Sequence, residues 1–159
     1  MDLFVGEMRP DDWEAVRAIY AAGIAAGQAT FETEPPSWEQ WDAGHLAACR
    51  LCARAGGRVV GWAALSPVSQ RAVYSGVAEV SVYVDPEHQG RGVGTALLRA
   101  VIAASEVHGI RTLQGSTFPE NYDMVLSTSR FTVPECADLI VEALRRLQAR
   151  GMEERPKAP

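Results

Sequence analysis

Three glycines at alternate positions, Gly90, Gly92 and Gly94, join two stretches of different periodicity, and few folds accept that arrangement. Before them, Val80, Val82 and Val84 alternate with Glu79, Ser81 and Tyr83, a β-branched pattern of period two that predicts a strand. Pro86 forbids the ladder to continue. After them, Val93, Leu97, Leu98, Val101, Ile102 and Ser105 recur on one helical face, and His108-Gly109 supplies a stop. The unit reads strand, glycine-rich turn, helix.

Such a turn suits a polyanion. Glycine accepts positive φ and lets a ligand approach the backbone closely. Bare N–H groups at a helix start attract phosphate oxygens, aided by the helix dipole. Arg91 adds a cation with bidentate reach. No Lys-Ser/Thr follows the last glycine, which excludes a P-loop. The spacing also misses the G-x-G-x-x-G of dinucleotide folds. A plain glycine loop with a surface arginine is the competing reading of these six residues alone.

The segment Gln89-Gly90-Arg91-Gly92-Val93-Gly94 resembles the Q/R-x-x-G-x-G/A signature of the GNAT acyltransferases, within which the chain looks like the phosphinothricin-type N-acetyltransferases. Supporting stretches are residues 29–37 (ATFETEPPS), Gly61-Trp62-Ala63 with Ser66-Pro67, Arg71-Ala72-Val73-Tyr74, residues 79–84 (EVSVYV) and Phe118-Pro119-Glu120-Asn121. They run in family order over residues 3–121. The resemblance implies an α/β fold of the α+β kind, with a mostly antiparallel mixed sheet flanked by helices. It also implies acetyl-CoA as cosubstrate and a small amine of the phosphinothricin or methionine sulfoximine type as acceptor.

Site expectations follow. Gln89, Gly90, Arg91, Gly92, Val93, Gly94 and Thr95 hold the diphosphate. Backbone N–H groups of Val82, Tyr83 and Val84 carry the cofactor arm, and the Asn121 amide, following the next strand (residues 112–117), bonds it as the equivalent family asparagine does. Glu79 is the general base, directly or through a water; a structural ion pair with Arg71 is its alternative. Phe31 and Glu32 overhang the acceptor pocket, and Arg71 or Tyr74 grips an acidic acceptor.

Beyond residue 121 the chain departs from the family. The expected S-x-x-L-[HY]-x-x-x-G-F helix is missing, and Tyr122, the nearby aromatic hydroxyl, reads as packing. Residues 132–135 instead open an amphipathic helix carrying Cys136, Leu139, Ile140, Ala143, Leu144 and Leu147. The expected organisation is a single domain over 1–159, family-like over 1–121 and atypical over 122–159.

The remaining sequence narrows the partners. A net charge of −5 disfavours a general nucleic-acid binder. No apolar run is long enough to span a membrane, and the start lacks a signal-peptide pattern, so cytoplasmic residence is expected. Cys49, Cys52 and Cys136 read as reduced, buried thiols and not as a metal knuckle. A homodimer is expected from the family resemblance only.

Locally, residues 3–8 predict a strand, and Pro10-Asp11-Asp12 opens a helix whose stripe holds Trp13, Val16, Ile19, Tyr20 and Ile24. Trp13 and Tyr20 read as core. Ser37 and Gln40 form a capping box for a helix reaching about residue 48, with His45 exposed on it. Gly56-Gly57 turns a hairpin between residues 50–55 and 58–66. Two rival functions stand beside the main one: a family member acting on another amine (polyamine, antibiotic or protein N-terminus), or a CoA-binding remnant impaired by its tail.

Overall fold

A computed structural model describes residues 2–27, 30 and 32–115. They build a five-stranded sheet in the order β1 (Leu3–Glu7), β2 (Leu51–Ala55), β3 (Arg58–Pro67), β4 (Val77–Val84), β5 (Thr112–Gln114). The first four strands are antiparallel neighbours, and β5 joins β4 in parallel. Antiparallel neighbours need only short turns, whereas the parallel pair needs a crossover, which is the helix α3 (Val93–Val107). This is the mixed, mostly antiparallel sheet that the family resemblance implied.

The two faces of the sheet carry separate cores. On one, Val93, Leu97 and Val101 of α3 pack against Val60, Ala63, Leu65 and Ala78. Each such aliphatic side chain contributes roughly 1.5–3 kcal/mol on full burial, so α3 is firmly seated. On the other face, α1 (Trp13–Ala25) and α2 (Trp38–Gly44) bury Val16, Ile19 and Trp41 against Cys52, Trp62 and Ala64. The alternation along β4 sorts its side chains accordingly: Val80, Val82 and Val84 join the α3 side, and Tyr83 joins the α1 side.

One irregularity sets the seat of α3. Ala53 pairs with Gly61 and Arg54 with Val59, so Val60 is an extra residue in β3. A bulge of this kind re-aims the strand locally. A Cβ on Gly61 would lie 2.9 Å from the Tyr83 carbonyl oxygen, 3.0 Å from Leu97 Cδ1 and 3.1 Å from Val93 Cγ1. The bare backbone there lets the first turns of α3 close onto the sheet.

Local chemistry explains most boundaries. Pro10–Asp12 forms a 3₁₀ turn leading into α1, and the Arg9 N–H donates to Asp12 Oδ2 at 2.6 Å. The Ser37–Gln40 capping box is present in both directions, at 3.3 Å and 3.0 Å. Gly56 and Gly57, at φ 55° and 80°, close the β2–β3 hairpin.

Two expectations need correction. The second helix ends at Gly44, short of residue 48. Arg50 takes over its last carbonyls, donating to the oxygens of Asp42, His45 and Leu46 while pairing with the Asp42 carboxylate. His45 is half-buried instead of exposed: its ring stacks 4.2 Å from Trp41, and its Nδ1–H donates to the Trp41 carbonyl at 2.7 Å. Burial is the main reason its pKa lies below the ordinary histidine value, with Arg50 adding to the effect.

Candidate active site

The ladder on the outer edge of β4 stops early. β5 pairs only with Val77, Ala78 and Glu79, which leaves residues 80–84 without a strand partner on that side among the described residues. Five residues of strand span about 16 Å. The polar groups this edge presents follow from the ladder's parity. The Asp85 N–H donates to the Val60 carbonyl at 3.0 Å, and the register runs unbroken from Gly61↔Val84 to Pro67↔Ala78. In an antiparallel ladder such pairs alternate, so residues 79, 81 and 83 turn their N–H groups toward β3, and residues 80, 82 and 84 turn theirs outward. Val82 and Val84 therefore present donors to the open edge. Tyr83 does not, which corrects the expectation that its N–H serves a cofactor arm.

The open edge runs into the glycine turn. Asp85 Oδ1 accepts from the Glu87 N–H at 3.1 Å, and its Oδ2 lies 3.2 Å from His88 Nδ1, which fixes the 3₁₀ turn Pro86–His88. Gln89 Nε2 donates to the Val84 carbonyl at 3.4 Å, tying the turn to the strand end. Gly90 and Gly92 sit at φ 71° and 84°, and a Cβ on either would meet nothing within 4 Å. Gly92 is the left-handed N-cap of α3. The first helical bond is Ala96 N–H to Gly92 O, 3.0 Å, so the N–H groups of Val93, Gly94 and Thr95 have no intrahelical acceptor. Open space, bare amides and the exposed Arg91 converge here, as a diphosphate requires.

Glu79 lies on the other face of β4 with Ser81 and Tyr83, at the last residue of the β4–β5 pairing and opposite Ser66 of β3. It is partly buried, and among the described residues it forms no ion pair, with Arg71 or any other cation. The loop holding Arg71 and Tyr74 joins Pro67 to Val77 and so returns the chain two residues before Glu79. Both side chains are exposed, Tyr74 at 44%. Glu32 is exposed as well, and its N–H donates to Thr30 Oγ1 at 3.2 Å. Phe31, Asn121 and residues 122–159, including Tyr122 and Cys136, lie outside the described residues.

Tyr83 is the residue whose side chain the sequence pattern left unread. Its ring stacks on Trp62 at 4.8 Å and meets Tyr20 edge-on at 4.8 Å. Burial, then the neighbouring Tyr20, push its hydroxyl up to about 12. The available signal was Gly23, an isolated glycine inside the helical stripe of α1. A Cβ there would stand 2.7 Å from the Tyr83 ring.

Cys49 and Cys52 sit in the two cores of the sheet. Cys52 is fully buried and Cys49 nearly so. Burial raises both thiols, Cys52 to about 12. Among the described residues no group of three or more His, Cys, Asp or Glu side chains could hold a metal ion, and no helix is long and apolar enough to cross a membrane.

An open strand edge leading into a bare helix start, on a mixed sheet with a crossover helix, defines an acyltransferase of the acetyltransferase (GNAT) family. The chain belongs to that family, whose model matches residues 13–125. It is 36% identical over 126 residues to YwnH of Bacillus subtilis, a protein provisionally named a phosphinothricin acetyltransferase; the match covers 76% of each chain. It is 35% identical over 108 residues to phosphinothricin N-acetyltransferase of Alcaligenes faecalis, covering 62% of this chain and 53% of that one. Among solved structures, a phosphinothricin acetyltransferase from Sinorhizobium meliloti in complex with acetyl-CoA superposes with a TM-score of 0.65 at 26% identity, covering 74% of this chain and 66% of that one.

Proposed function

We propose that the protein transfers the acetyl group of acetyl-CoA to the amine of a small amino-acid-like acceptor of the phosphinothricin or methionine sulfoximine type. The observation that carries this is two sets of free donors joined by the glycine turn, the outward N–H groups of Val82 and Val84 and the amides of residues 93–95, with Glu79 on the same strand. The named relatives support the acceptor class.

Acetyl-CoA supplies an activated thioester carbonyl. The chain's own groups do the rest. Gln89, Gly90, Arg91, Gly92, Val93, Gly94 and Thr95 hold the diphosphate. The N–H groups of Val82 and Val84 hold the arm, with Asn121 as a further donor, and one of these strand donors faces the acyl oxygen as negative charge develops on it. Glu79 removes a proton from the acceptor ammonium, directly or through a water, so that its nitrogen can form the new C–N bond as the C–S bond breaks. The nitrogen gives up its second proton as it becomes an amide, and the departing sulfur takes up one proton to leave as a thiol, directly or through water. Holding both reactants in line supplies much of the rate. Phe31, Glu32, Arg71 and Tyr74 border the acceptor, with Arg71 as the cation for its carboxylate.

A thiol-release assay tests this. Phosphinothricin, methionine sulfoximine and methionine sulfone are offered beside spermidine, an aminoglycoside and a peptide N-terminus. Turnover confined to the first group is expected. Preferred turnover of another amine overturns the acceptor assignment, and acetyl-CoA binding without turnover of any amine identifies an inactive remnant. By the same reading the protein is a single domain over 1–159 that works in the cytoplasm, and cross-linking or light scattering would reveal the homodimer its family resemblance implies.

A further inference from the structure

Glu79 is flanked on both neighbouring strands by neutral side chains that can accept hydrogen bonds. Ser66 of β3 stands directly opposite it, and Gln114 of β5 is its partner on the other side. Ser81 follows two residues along β4, on the same face. The packing of their neighbours fixes that face. Leu65, Val80 and Leu113 belong to the α3 core, so Ser66, Glu79, Ser81 and Gln114 all stand on the α1 side of the sheet. The aromatic layer gives way just here: Trp62 and Tyr83 face each other across the two strands, then Ala64 and Ser81, then Ser66 and Glu79. Among the described residues none of these four polar side chains makes a hydrogen bond or an ion pair. Ser66, Glu79 and Ser81 are nevertheless partly buried. A carboxylate and two hydroxyls in that position need water or a ligand to satisfy them.

We propose that Ser66, Ser81 and Gln114 form, with Glu79, a cradle for the primary ammonium of the acceptor, and so select primary amines over N-substituted ones. The inference deepens the function proposed above and rests on it, in that it takes Glu79 to receive the amine. A primary ammonium carries three N–H donors. One goes to the Glu79 carboxylate. The other two, drawn out of water, need acceptors of their own. Neighbouring strands lie ~4.8 Å apart, so a nitrogen held at Glu79 comes within reach of Ser66 Oγ on one side and of the Gln114 amide oxygen on the other, with Ser81 Oγ along the strand. Neutral oxygens suit the task. A cation in their place would repel the ammonium, and further carboxylates would favour the charged amine and oppose the loss of its proton. A secondary amine brings one N–H fewer and a methyl group where an oxygen waits.

The test uses the full chain saturated with CoA, a complex that cannot turn over, and calorimetry with phosphinothricin. Ser66→Thr and Ser66→Val have the same shape and differ in the hydroxyl alone; Gln114→Met keeps the length and loses the amide oxygen. Ser66→Thr is expected to retain the affinity for the amine. Ser66→Val and Gln114→Met are each expected to weaken it ~10-fold, as befits one lost hydrogen bond to a charged group, with the affinity for CoA unchanged. N-methylphosphinothricin is expected to bind the unaltered protein ~10-fold more weakly than phosphinothricin, and that preference should shrink when Ser66→Val and Gln114→Met are combined. Equal affinities of the Thr and Val variants, no preference for the primary amine, or no binding of either amine would each overturn the cradle. Thiol release separates this from the transferase reading. Where another amine is the preferred substrate, the same contrast is made with that amine and its N-methyl form, and the cradle stands or falls on it. Selective binding of the primary amine without turnover supports the cradle while removing the transferase. Turnover with indifferent variants sinks the cradle and leaves the transferase standing.

Discussion

In the proposed reaction, Glu79 concentrates the residue-scale chemistry. It occupies the one β4 position that combines a partly buried side chain on the α1 face with the end of the β5 ladder. Glutamine has the same shape and cannot take a proton, so Glu79→Gln is expected to lower kcat by ~10²–10⁴ while calorimetry finds the same affinity for acetyl-CoA. Unchanged turnover would remove Glu79 from the reaction. Its face of the strand was legible in the sequence because a period-two pattern assigns faces without any knowledge of partners, whereas its proposed role came from the family resemblance. The same pattern put Tyr83 on the Glu79 face yet could not say which backbone edge its N–H used. That depends on the pairing of Asp85 with Val60, a long-range fact. His45 was misjudged for a related reason: its burial comes from Trp41 and Trp62, and the second of these lies on another element.

At the scale of elements, the turn glycines and a helix glycine make opposite demands on the same physics. Gly92 caps α3 at φ 84° and Gly57 turns the hairpin at φ 80°, both facing open space. A valine at either position is strained in the left-handed region by at least ~1–2 kcal/mol, and both variants should lose comparable stability. Only Gly92→Val should also lose CoA binding by calorimetry, because only there would the branched side chain stand where phosphate oxygens approach. Tight CoA binding by that variant would displace the diphosphate from residues 89–95. Gly23 is the reverse case. Its backbone is ordinary helix, so Gly23→Ala would normally stabilise by up to ~1 kcal/mol. Here the added methyl meets the Tyr83 ring at 2.7 Å, and thermal denaturation is expected to show a lower Tm. A raised Tm would show that the ring can move aside at no cost. The turn glycines were readable from their motif. The helix glycine was visible but uninformative until the ring above it was known.

For the molecule as a whole, the β2–β3 hairpin and the crossover helix could be anticipated because both links are local, whereas the pairing of β1 with β2 reaches across α1 and α2 and left no local signal. Nor could the aromatic layer between α1, α2 and the sheet be read. Trp13, Trp38, Trp41, Tyr20, Trp62 and Tyr83 come together from four elements, and no sequence spacing records that meeting. This layer should set the pH range of stability. His45, packed against it, has a pKa below the ordinary 6.5 because burial disfavours its cation. The unfolded chain therefore takes up a proton first as pH falls, and stability present above pH 6.5 is lost toward acid. Tyr83 has the opposite displacement, from 10.0 up to about 12, and Cys52 rises from 9.0 to about 12. On that side the unfolded chain releases protons first. The stabilisation is complete below pH 9 and declines as pH rises toward 12. Urea midpoints are expected to plateau between pH 7 and 9 and fall on both flanks. His45→Gln should flatten the acid flank and leave the alkaline one, whereas Tyr83→Phe should flatten part of the alkaline flank alone. An acid flank of the same slope in His45→Gln would place the controlling titration elsewhere in the protein and leave the aromatic layer without a part in it.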